Sequence, residues 1–154
     1  MNKKFSAPHA FTLLELLVVI TLLLLLSSLV VGMTRYAFRS GARCRAQAEI
    51  TSLSAALESY KNDHGDYPTN DICSDTRSLI TALMPPAAPK NPYPKVYFFF
   101  SSKMTNEKGI LDPFGGNYHY IYTNGSPHNG LDSFDLWSTA GDSKRSDQWI
   151  KNWE

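Results

Sequence analysis

The hydrophobic pattern divides the chain into two stretches of different character. From Phe11 to Met33 most positions are apolar and the only charge is Glu15. About 20 apolar residues span a bilayer as a helix. The run is too long for the apolar core of an ordinary cleaved secretory signal, which needs about 7 to 15 residues. Further on, Ala46, Ile50, Leu53, Leu57 and Tyr60 recur at spacings of four and three, which is the apolar stripe of an amphipathic helix. Glu49, Ser52 and Ser59 lie off that stripe. No proline interrupts Phe11 to Asn62, so span and stripe read as one helix, ended by Gly65 and Pro68.

The pattern then shortens. Asp75 to Met84 reads as a second, short helix with Ser74 as its cap. Pro85, Pro86, Pro89, Pro92 and Pro94 enforce an extended loop. Val96 to Phe100 reads as a short strand or a buried loop. Tyr118 to Thr123 and Phe134 to Ser138 are rich in aromatics and strand formers, with Asn124-Gly125 and Asn129-Gly130 marking the turn between them. The fold class is therefore α+β: a long N-terminal helix, half transmembrane and half amphipathic, packed on a small antiparallel β-sheet.

Composition narrows the function by exclusion. The 154 residues carry a net charge of +1, which gives no case for nucleic acid as a partner. Two cysteines, Cys44 and Cys73, are too few for a disulfide framework, and a bond between them would need the chain after the helix almost fully stretched. The histidines at 9, 64, 119 and 128 lack metal-ligand spacing, and no nucleophile elbow or phosphate loop is present. Asp132 and Asp135 are three apart near a strand, where they point to opposite faces. The chain reads as a non-enzyme. Tyr97 to Phe100 reads as core or subunit contact.

Glu15 is the informative residue. A carboxylate inside an apolar span costs about 2.5 to 3.5 kcal/mol at the helix centre on insertion scales, so it asks for a partner. Cleavage between Ala10 and Phe11 would free an ammonium at Phe11, the natural counter-charge in the same chain or in a neighbour. Such a pair is weak evidence of stability but sets register. One ammonium facing one Glu15 would fix the axial stagger of packed helices.

Ala10-Phe11-Thr12-Leu13-Leu14-Glu15-Leu16, behind a leader bearing Lys3 and Lys4, resembles the prepilin cleavage and methylation motif of type IV pilins and pseudopilins. The resemblance implies a leader at residues 1–10, an assembly helix at 11–34 and a periplasmic pilin-like domain at 35–154. It implies that a prepilin peptidase cuts between Ala10 and Phe11 and methylates Phe11, and that Glu15 guides assembly. The family usually has Gly before the cut, where this chain has Ala10, and often Pro where this chain has Gly32. Gly32 would be a softer hinge. Arg35, Arg39, Arg43 and Arg45 follow the span, and a positive-inside count would put that side in the cytoplasm; the motif implies the opposite, with the domain in the periplasm. Arg35, Arg39 and Arg43 share a helix face, suited to lipid headgroups or to acidic groups of neighbouring subunits.

Downstream, Leu57 to Lys61, Gly65 and Tyr67-Pro68-Thr69 look like the helix end of the major pseudopilins of type II secretion. Asp112 to Tyr118 looks like their Asp-Pro turn, and Phe134 to Ser138 with Gly141-Asp142 like their carboxy-terminal strand and loop. The function this implies is a subunit of a periplasmic filament that helps export proteins. Its partners would be identical subunits, minor pseudopilins, the prepilin peptidase, the inner-membrane assembly platform and, before assembly, membrane lipid. The alternative is a pilin or minor pseudopilin of another type IV filament, used in adhesion, DNA uptake or motility. The resemblance also implies calcium in the loop after the last strand, held by the Thr139 carbonyl, Asp142 and Asp147. The departures there are Ser143 after Asp142 and the bases Lys144 and Arg145. Without a cation, Asp142 would hold the loop by hydrogen bonds to its own backbone.

Overall fold

Helix α1 runs from Leu13 to His64 in the computed structural model, which describes residues 11–69, 74–122, 128–130 and 132–153, and residue 35 by its backbone alone. Its start is set by Thr12, whose hydroxyl accepts the N–H of Glu15 at 3.2 Å and whose carbonyl accepts that of Leu16 at 3.2 Å. This is N-capping by a β-hydroxyl. Its end is set by Gly65 at φ 85°, a left-handed residue whose N–H reaches the Lys61 carbonyl at 2.7 Å. The chain forms two compact units, residues 1–40 and 41–154.

In the second unit the expected stripe is the core. Ala46, Ile50, Leu53 and Leu57 are at most 1% exposed, and Ala56 joins them. Tyr60 is only partly buried and packs at the edge. Helix α2 (Arg77–Leu83) contributes Leu79 and Leu83. A hairpin of β1 (Thr105–Asn106) and β2 (Gly109–Ile110) is separate from a three-stranded antiparallel sheet of β3 (His119–Ile121), β4 (Asp135–Ser138) and β5 (Ile150–Lys151), in the order β3-β4-β5. Register pairs Tyr120 with Leu136 and Ser138 with Ile150, and those residues face the core. The outward row pairs His119 with Trp137 and Trp137 with Lys151. There His119 stacks on Trp137 at 5.0 Å.

The structure departs from or narrows the expectations at three points. First, α2 is shorter than Asp75 to Met84, and Ser74 is not its cap. Thr76 stands at the cap position with its hydroxyl turned away to accept the Ile110 N–H at 2.7 Å, and Asp75 accepts the N–H of Arg77 at 3.1 Å. Thr76 lies so close to β2 that a Cβ on Gly109, at φ 129°, would fall 2.8 Å from the Thr76 nitrogen. Second, of the two alternatives for Val96 to Phe100 the chain adopts the loop, only partly buried. Tyr97 and Phe98 donate their N–H groups to the Leu83 carbonyl, Phe100 is buried and Phe99 is exposed. Third, β1, β2 and β5 had no counterpart in the sequence pattern. The Asn124-Gly125 turn, Thr123 and Cys73 lie outside the described residues.

The Asp112 turn ties these parts together. Asp112 is buried, and its Oδ1 accepts the N–H groups of Phe114 at 3.0 Å and Gly116 at 2.8 Å. Its Oδ2 accepts the Ser138 hydroxyl at 2.6 Å, which fastens the turn to β4. A buried carboxylate is tolerated when donors saturate it in this way.

Candidate assembly site

In the first unit, α1 keeps its apolar side chains in the open. Leu13 is 88% exposed, Leu24 69% and Phe38 75%, with Phe11 at 68% just before the helix. An 18-residue window of α1 is apolar enough to cross a membrane, and none of it is buried. Three hydroxyls of this stretch of α1 turn inward on the helix backbone. Thr21 donates to the Leu17 carbonyl at 2.6 Å, Ser28 to Leu25 at 2.8 Å and Thr34 to Val30 at 2.8 Å. Such back-bonding satisfies polar groups where no water is at hand.

Glu15 is the exception. It is exposed, and among the described residues its carboxylate has neither a hydrogen bond nor an ion pair. It lies in the first turn of α1, at the positive end of the helix dipole. Thr12 is a site residue that the reading of Glu15 as a counter-charge overlooks. The Thr-x-x-Glu spacing of a capping box was the signal for it. Phe11 lies one residue before the cap residue Thr12 and two before the first helical residue, Leu13. Ala10 and the leader lie outside the described residues.

Helix α1 runs through Gly32 without interruption, and nothing lies within 4 Å of where a Cβ would be. Of the arginines after it, Arg39 is exposed. Arg43 donates to the Gln148 carbonyl at 3.0 Å, and Arg45 pairs with Glu49 at 2.8 Å. Glu49 in turn accepts the hydroxyl of fully buried Tyr118 at 2.8 Å. Burial and Glu49 together push the Tyr118 phenol far up from its ordinary value.

The histidines sit in separate aromatic settings. His64 stacks on Tyr60 at 4.0 Å, and His119 lies in β3, where burial pushes its imidazole down. His128 stacks on Trp153 at 4.4 Å and pairs with buried Asp135 at 2.6 Å. Asp132 is exposed, and its carbonyl accepts Lys61 at 2.8 Å. Cys44 is an exposed free thiol.

The residues expected to hold calcium lie in the loop between β4 and β5. The Thr139 carbonyl accepts the N–H of Asp142 at 2.9 Å. Asp142 Oδ1 accepts the Lys144 N–H at 3.0 Å, and Oδ2 accepts the Arg145 Nε at 2.9 Å. Arg145 and the Lys144 N–H hold the Asp142 carboxyl below its ordinary range. Asp147 is exposed in a short 3₁₀ turn, Ser146–Gln148. Calcium needs six to eight oxygens turned inward. Among the described residues no three His, Cys, Asp or Glu side chains gather for a metal, and a guanidinium occupies the one central carboxylate. This arrangement of donors does not fit the cation.

The description Prokaryotic N-terminal methylation motif matches residues 6–31, and Type II secretion system, protein G matches residues 36–153. The chain is 31% identical over 155 residues to the Type II secretion system core protein G of Pseudomonas aeruginosa, covering 94% of each chain. It is 33% identical over 128 residues to that of Pectobacterium carotovorum, with 83% of this chain and 74% of the relative covered. It is 32% identical over 124 residues to that of Vibrio cholerae, with 77% and 74% covered. The open apolar helix behind a methylation motif, and a sheet domain matched almost end to end, place this chain in the type II secretion system protein G family, the major pseudopilins.

Proposed function

We propose that this chain is the repeating structural subunit of a type II secretion pseudopilus and that Glu15 is the residue that registers one copy against the next. The prepilin peptidase removes residues 1–10 and methylates Phe11. The helix at 11–34 then holds the subunit in the inner membrane, with residues 35–154 in the periplasm. The assembly platform moves it into a filament of identical copies that also takes minor pseudopilins. The filament helps export proteins, and none of these steps asks the chain itself for catalysis.

The observation that supports this reading is the contrast within the first unit: the Thr21, Ser28 and Thr34 hydroxyls bond to their own helix, while the Glu15 carboxylate has no partner among the described residues. The ammonium of a neighbour's Phe11 is the group that would meet it. Two unit charges 4 Å apart attract by about 1 kcal/mol in water and about 4 kcal/mol at an effective dielectric constant near 20, the setting that packed helices provide. The apolar residues around Glu15 then exchange lipid for neighbouring helices.

Mass spectrometry of the mature amino terminus tests the reading. The expected result is a chain beginning at Phe11 with a methylated amine. A chain that keeps residues 1–10 would have no such amine to offer, and the reading would be wrong.

A further inference from the structure

We propose that Arg145 closes the loop between β4 and β5 from within the chain, its guanidinium taking the place of a divalent cation at Asp142, so that the loop is ordered without metal. Ala140 at φ 52° and Gly141 at φ 81° are successive left-handed residues. They turn the chain so that the Asp142 N–H meets the Thr139 carbonyl at 2.9 Å. Asp142 then serves as the hub. One carboxylate oxygen accepts the Lys144 N–H, the other accepts Arg145, and its carbonyl accepts the Trp149 indole N–H at 3.1 Å.

Trp149 stacks on Trp137 of β4 at 6.1 Å, and the Gln148 carbonyl accepts Arg43 of α1 at 3.0 Å. The hub thereby links the loop to the sheet and to the helix of its own unit. The two groups expected to hold a cation, the Asp142 carboxylate and the Thr139 carbonyl, already accept hydrogen bonds from within the loop. A cation would also meet Lys144 and Arg145, two bases within three residues of one acid. A guanidinium remains charged at every accessible pH and donates in a fixed plane, so it performs the neutralising and orienting work of a metal with no ligand to lose.

Residues 139–149 form this closure whether or not the subunit is in a filament. The test is hydrogen exchange on the full-length protein in detergent, followed in peptides covering 139–149, with calcium and with a chelator. The expected result is the same exchange in both conditions for the wild type. In Arg145→Gln, exchange should be about two- to fivefold faster in both, the scale of a half-exposed ion pair. Arg145→Lys, which keeps the charge but loses the Nε donor, should fall between. Slower wild-type exchange with calcium would overturn the proposal, as would unchanged exchange in Arg145→Gln.

Discussion

Residues 13–40 and 41–64 belong to one helix, yet they treat apolar and acidic side chains in opposite ways. In the second stretch Leu53 and Leu57 are fully buried, and Glu49 is held by Arg45 and Tyr118. In the first, Leu24 is 69% exposed and Glu15 has no partner among the described residues. The 41–154 unit supplies the partners of its own helix. In the 11–40 segment the Thr21, Ser28 and Thr34 hydroxyls bond to the helix backbone, while the apolar surface and the one acid are left to be met from outside. A subunit that must leave lipid and join other copies requires this asymmetry, because a helix satisfied within its own chain would have nothing to gain from a neighbour.

The comparison can be broken most sharply by cutting the same side chain in each stretch. Leu57→Ala removes a fully buried side chain and should cost about 2–5 kcal/mol of stability. Leu24→Ala should leave the unfolding of the 41–154 unit unchanged. Thermal unfolding of the full-length protein in detergent, followed by near-ultraviolet circular dichroism, reads both. Equal losses would mean that the two stretches are not independent. A smaller effect is expected at the Glu49 cluster. Tyr118→Phe removes one hydrogen bond to a carboxylate that keeps Arg45, and should cost about 1 kcal/mol in the same assay.

The smallest effect is the response to acid. Arg77 lowers the Asp75 carboxyl to about 2, and Lys95, Tyr122 and Arg145 lower those of Asp63, Asp66 and Asp142. A carboxyl lowered by folding adds stability above its unfolded value, near 3.9 for aspartate, and loses that contribution as pH falls through the folded value. The unfolding midpoint should therefore hold steady from neutral pH down to about 4 and decline between about 4 and about 2. These pairs are exposed, so the decline should be shallow. Asp75→Asn should make it shallower still.

The sequence carried some of this clearly. The amphipathic stripe was legible because its helical period persists from Ala46 to Leu57 without a break, and the apolar span was legible from its length. Strands β3 and β4 stood out through their aromatics. The two-residue strands β1, β2 and β5 are too short to hold any period, so pairing across the fold, such as Ser138 with Ile150, defines them instead. Ser74 looked like a cap because serine favours that role, but the position fell to Thr76, whose hydroxyl β2 then claimed. In the loop the resemblance to the major pseudopilins pointed to Asp142. What surrounds its carboxylate depended on where the Arg145 side chain folds back, and spacing does not fix that.

The most direct test of the central claim is Glu15→Ala, read by filament yield in the periplasmic fraction alongside membrane insertion and the unfolding midpoint of the full-length subunit. With insertion and unfolding at wild-type values, the account predicts that assembled filament falls by at least ~10-fold, as expected when one partner of a desolvated charge pair is removed. Filaments at wild-type yield from that variant would contradict it.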